Sequence, residues 1–190
     1  MQTLDIRLRE TAPWHALITR AQVAAQIDLS SEVEAYLMRV IYRYVASPDS
    51  GLSHLAEHAG PLMELFADEG EDKADMMVIA DQSLIFAGLL PEQAIRRQIP
   101  LSYFVEVGRY AYTEIAERTG ETVYGDVSRY FVSCVDVLHT AREIDGGHPC
   151  IDPISAFELW QNAGSRHAWE YLRRLTPALP GVGTDAEVRH

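Results

Sequence analysis

Residues 72–90 read DKADMMVIADQSLIFAGLL, and the fold class turns on how this stretch is read. Met76, Met77, Ile79, Leu84, Ile85, Phe86 and Leu89 fall on every side of a helical wheel. The two-residue alternation of a half-exposed strand is missing. A helix that is apolar all round belongs in the middle of its domain. Asp81 resists that reading, because it shares a face with Met77, Leu84 and Gly88. A buried carboxylate without partners is very costly, so an arginine, hydroxyls or backbone donors are expected around it. Two roles follow for Asp81. It is a polar clamp that fixes helix packing, or it lines a ligand cavity with Tyr103 and Tyr110 nearby.

Working outward, the apolar period stays at three to four residues between short Gly/Pro/Asp/Ser clusters. The exception is a brief strand-like stretch from Asp5 to Leu8. Thr11-Ala-Pro13 suits the start of a helix to about Gln26. A second helix is expected from Ser31, with Glu34 three residues on in the reciprocal capping pattern. Its stripe is Val33, Tyr36, Leu37, Val40, Ile41 and Tyr44, with Glu32, Arg39 and Arg43 facing away. Beyond residue 90, Pro91 opens a short basic helix and Pro100 a longer one to about Arg118. Thr122 to Glu143 and Pro153 to Leu175 each read as one further helix. The expected fold is therefore all-α: a single-domain bundle or irregular array of about seven or eight helices over residues 1–175. Residues 176–190 read as a loose tail.

Composition bounds the function. Apolar residues make up 47% and charged residues 23% of the chain, and the formal net charge is -12. That field repels phosphate backbones and anionic lipid, so neither nucleic acid nor a membrane is an expected partner. No apolar run reaches the roughly 18 residues of a membrane helix, and the amino terminus does not read as a signal peptide. Cys134 and Cys150, the two cysteines, are expected as free thiols in a cytoplasmic setting.

Ala80 to Glu92 (ADQSLIFAGLLPE) and Tyr103 to Tyr112 (YFVEVGRYAY) resemble two segments of a family of uncharacterised bacterial helical proteins. There they read Gly-Asp-x-x-Leu-Phe-x-x-Gly-Phe-Phe-Pro-Glu and Tyr-Tyr-Val-x-Met-Gly-Arg-x-Ala-Tyr. Val33 to Leu37 and Trp160 to Ser165 are weaker echoes. The resemblance spans about Leu29 to Leu175 and departs at Ala80 and Phe104. It implies a helical fold and carries no activity.

The sharpest chemical motif is His54-Leu-Ala-Glu57-His58. Histidines four apart share a helix face and can hold one metal, while the glutamate activates water. Pro61 follows closely and no downstream glutamate stands out as a third ligand. The expectation is two surface histidines, no metal and no cofactor, with a metalloprotein as an alternative. A di-iron bundle needs Glu-x-x-His pairs on two helices, and the nearest match is Asp136-Val-Leu-His139. His139 and Glu143, four apart, read as a surface pair. Cys134 sits on an apolar stripe as a small hydrophobe, and five residues of helix point it away from His139. Without a phosphate loop or nucleophile elbow, the expected function is a non-enzymatic interaction or scaffold protein. It would work through a protein partner or as a homodimer. The alternative is a small-molecule-binding domain with its cavity near Asp81.

Overall fold

The computed structural model describes residues 11–46 and 73–176, and every regular element among them is helical. In chain order these are α1 (Thr11–Ala25), α2 (Ser31–Ala46), α3 (Lys73–Leu84) and a π-helical turn (Ile85–Leu89). Then come α4 (Pro91–Arg96), α5 (Leu101–Thr119), α6 (Thr122–Arg129), α7 (Phe131–Gly146), α8 (Pro153–Ala163) and α9 (Arg166–Leu175). The expected all-α architecture is the one observed. The His54–His58 motif and the Asp5–Leu8 stretch lie outside the described residues, as does the tail from residue 177 on.

The organising segment is α3 with its π turn. Met76, Ala80, Leu84, Phe86 and Leu89 are all buried in one core with Val33 and Ile41 of α2 and Phe104 and Tyr112 of α5. Helix α3 packs chiefly on α5, and the π turn packs on α7. The turn changes the helical register after Leu84, which a uniform wheel for residues 72–90 does not anticipate. It closes with the Leu90 N–H donating to the Ile85 carbonyl at 2.8 Å. Carbonyls loosened by the wider turn take side-chain donors from α7. His139 Nε2 lies 2.8 Å from the Ala87 oxygen, and Arg142 Nη1 donates to the Leu89 oxygen at 2.7 Å. Arg142 also grips Glu92 of α4 through two bonds of 2.7 and 2.5 Å.

Two segments read as continuous helices are divided. Thr122 to Glu143 breaks at Tyr130, whose φ of −95° and ψ of 15° leave helical geometry. The halves have different neighbours: α6 packs on α5 and α2, whereas α7 packs on α1 and the π turn. Pro153 to Leu175 breaks at Gly164, whose φ of 75° is the left-handed conformation glycine adopts most cheaply. Ser165 then caps α9, its hydroxyl accepting from the Ala168 N–H at 3.0 Å. The resulting α8–α9 hairpin is held by Trp160 stacked on Trp169, ring centroids 4.6 Å apart.

The cap of α2 sits one residue earlier than its sequence pattern suggests. Ser30 accepts from the Val33 N–H at 3.3 Å. Glu34 is spent instead on Gln22, whose side-chain amide donates to it at 3.0 Å. Gln22 in turn accepts from the Leu29 N–H at 3.0 Å, which fixes the α1–α2 corner.

Candidate functional site

Two polar constellations lie inside this apolar frame, and Asp81 anchors the first. Its Oδ1 accepts from the Tyr36 hydroxyl at 2.7 Å and the Tyr112 hydroxyl at 2.8 Å. Its Oδ2 pairs with Nη1 of Arg43. The α2 stripe places Arg43 on its outward side. Its long side chain instead bends back to the carboxylate while the residue stays half exposed. Arg39 lies over the Tyr36 ring at 4.6 Å. The rings of Tyr36, Tyr112 and Tyr124 pack edge-on and stacked at 5.6 to 6.5 Å. Burial pushes the Asp81 carboxyl above its ordinary range, and the two phenols, Arg43 and Arg39 pull the other way. Burial, and then the charge of Asp81, raises both phenols. Three helices, α2, α3 and α5, thus meet on one carboxylate.

Tyr112 supplies the α5 hydroxyl at Asp81; the sequence had drawn attention to Tyr103 and Tyr110. Tyr110 lies on the outer side of α5 and is 41% exposed. Tyr103 is half-buried, with its ring against Phe104. Cys134 and Cys150 are buried free thiols, each pushed up to about 12 by burial. That is the environment of a packing residue and not of a nucleophile.

The second constellation is a cleft of ≈ 280 Å³ between the end of α1, α7 and α9. Helix α7 contributes Asp136, Thr140, Glu143 and Ile144, and α9 contributes Arg166, His167, Glu170 and Arg174. Asp136 sets the geometry. Its Oδ1 accepts from the Ser165 hydroxyl at 2.6 Å. Its Oδ2 accepts from the backbone N–H groups of Arg166 at 3.0 Å and His167 at 3.3 Å. A carboxylate from one helix therefore caps the amino terminus of another. Burial raises the Asp136 carboxyl, while Ser165, His167 and Arg166 oppose the rise.

Pinned in this way, α9 lays the His167 ring against that of His139, centroids 5.4 Å apart. His167 is 9% exposed, and its Nε2 lies 3.2 Å from Glu143 Oε1. His167 Nδ1 has no hydrogen-bond partner, and Nε2 and Glu143 Oε1 have none but each other. Burial pushes the Glu143 carboxyl up, but His167, Arg174 and His148 outweigh it and leave the group below its ordinary range. Arg174 reaches Glu143 Oε2 only at 3.9 Å. Arg166 is committed to Glu170 and Gln26, each at 2.8 Å.

His139 corrects the surface-pair reading, since it is fully buried. Its partner is a carbonyl, which can only accept, so Nε2 carries the ring proton. Nδ1 is left without a partner. Burial, with His167 and Arg142 nearby, lowers its pKa to about 3. Asp136 and His139 do not form a metal pair: one caps α9 and the other braces the π turn. Among the described residues, no group of three or more His, Cys, Asp or Glu side chains is placed to hold a metal ion. No helix among them is long and apolar enough to cross a membrane.

Among the described residues, the all-α fold thus holds a carboxylate clamp at Asp81, both of whose oxygens are engaged, and an open cleft between α1, α7 and α9. The chain matches no protein-family model, no curated protein and no solved structure. His167, Arg166 and Arg174 escaped sequence reading, because α9 was hidden inside a longer expected helix. The Gly164-Ser165 pair, a helix stop followed by a cap residue, was the available signal.

Proposed function

We propose that the protein is a small-molecule-binding helical domain whose site is the cleft between α1, α7 and α9. One observation carries this reading. Buried polar atoms almost always have hydrogen-bond partners, yet at the wall of one cleft His167 Nδ1 has none, and His167 Nε2 and Glu143 Oε1 face each other at 3.2 Å with no other partner. The volume of ≈ 280 Å³ lies near the lower end of the roughly 300–1,000 Å³ of ligand pockets. An aspartate-capped helix holds the histidine in place before any ligand arrives, which lowers the cost of binding. Asp81, with both oxygens engaged, is read as a packing element and not as the site.

The test is a ligand-observed NMR screen of small molecules of mixed charge against the wild-type protein and Ala24→Trp. Ala24 lines the cleft from α1 and is exposed, so the larger ring fills the space without disturbing the core. Binders that vanish with Ala24→Trp, and that move the His167 side-chain resonances in protein-observed spectra, are expected. Identical binding to the two proteins would sink the proposal.

A second reading, self-association, rests on α8. There Ile154 is 82% and Phe157 43% exposed, and Phe157 continues into the Trp160 ring contact at 5.7 Å. Sedimentation of the wild type against Ile154→Glu/Phe157→Glu decides it. A concentration-dependent dimer lost in the variant is the supporting result, and a wild type that is monomeric throughout ends the idea.

A further inference from the structure

We infer that the cleft takes a small α-amino acid with an apolar side chain, its ammonium on Glu143 and its carboxylate on Arg174. This inference rests on the cleft being a binding site. The charged groups around the cleft are of both signs: Asp136, Glu143 and Glu170 against Arg166 and Arg174. A purely anionic ligand would face three carboxylates, and a purely cationic one two guanidinium groups. A dipolar ligand satisfies both.

The positions of the available atoms narrow the class further. The commitments of Asp136 are to the α9 backbone and Ser165. Those of Arg166 are to Glu170 and Gln26. Glu143 Oε1, by contrast, is a buried acceptor that meets only His167 Nε2, at 3.2 Å. The Arg174 side chain is 63% exposed and meets Glu143 only at 3.9 Å, beyond hydrogen-bond length. An acceptor and a cationic fork so close together call for a ligand whose own charges are equally close. An α-amino acid carries ammonium and carboxylate on one carbon. An ω-amino acid of similar size holds them too far apart. The ammonium would enter beside the His167 ring, whose Nδ1 lacks a partner and whose Nε2 meets only Glu143. Ala24, Ala25, Ile27 and Ile144 form the apolar wall left for the side chain.

Calorimetric titration of the full chain with leucine, leucinamide, 4-methylpentanoate and 6-aminohexanoate tests this. Leucine is expected to saturate one site. Each analogue lacks one charge or separates the two, and should bind at least about tenfold more weakly, the loss of one charge-assisted contact. Arg174→Ala, at an exposed position that leaves folding intact, should erase the preference for leucine over leucinamide. Glu143→Gln, its fold checked by circular dichroism, should erase the preference over 4-methylpentanoate. Leucinamide or 4-methylpentanoate binding as tightly as leucine overturns the assignment. So does an absence of leucine binding while screen hits are still lost in Ala24→Trp, and in that case the cleft survives as a site for another class. If no hit is lost in Ala24→Trp either, cleft and amino acid fall together.

Discussion

Removing the Asp81 carboxylate would leave two phenols and a guanidinium without their shared acceptor. Tyr112 is fully buried and Tyr36 nearly so, and neither hydroxyl would regain water. Hydrogen bonds to a charged group contribute about 1.5–3 kcal/mol each, and stranded partners add their own desolvation. Arg43 is half exposed and contributes less. Asp81→Ala should therefore cost about 3 kcal/mol in urea unfolding, and Asp81→Asn less, because an amide oxygen still accepts from the phenols. A loss below about 1 kcal/mol for the alanine variant would show that the clamp does not hold the helices. At this scale the sequence was half legible. An acid on an apolar wheel demands partners wherever it lies, and the demand was visible. Which partners answered was not: Tyr36 and Tyr112 read as core stripe and motif positions, and Arg43 as a solvated residue. A long side chain chooses its direction only once three helices have docked.

Helix boundaries were legible where capping and proline chemistry is local, as at Pro91 and Pro100. They were lost where tertiary contacts divide a helix, as at Tyr130, or where the change is a register shift, as in the π turn. The turn depends on α7, whose His139 and Arg142 take up its carbonyls, and on a close approach at Gly88. A Cβ added there would lie 2.5 Å from Leu138 Cδ1 and 3.0 Å from Leu138 Cβ. Gly125, in α6, is the contrast, since an added Cβ would meet only the Ala116 Cβ at an ordinary 3.8 Å. Gly88→Ala should destabilise by about 1–3 kcal/mol through overpacking. Gly125→Ala should stabilise by about 0.5–1 kcal/mol, since alanine is the better helix former. Thermal melts of the two variants beside the wild type check both signs. Equal effects would mean that the approach at Gly88 is not tight.

Among the described residues, acid stability draws on groups of opposing tendency. His139 is held neutral, its pKa lowered from 6.5 to about 3. As the pH falls below about 6.5 the unfolded chain takes up a proton that the folded chain refuses, so the stability due to this group is lost down to about pH 3. Glu143 and Asp152, also lowered, add to the loss as the pH falls through their folded values. Asp81 and Asp136 are raised and act in the opposite sense, their contribution fading as the pH rises through theirs. Comparing the wild type with His139→Gln cancels the carboxylates, and glutamine can still donate to the Ala87 carbonyl. The stability advantage of the wild type should shrink by about 2 kcal/mol between pH 7 and pH 4.5. A constant difference would mean that His139 is not held neutral. The all-α class followed from the sequence alone, because apolar period and cap chemistry are local properties of the chain. So did the middle helix as core, and the need for Asp81 to find partners. The cleft was decided only by the tertiary structure. Its walls come from residues 24–27, 136–144 and 166–174, and no local pattern records that an aspartate on one helix will cap another and turn His167 toward Glu143.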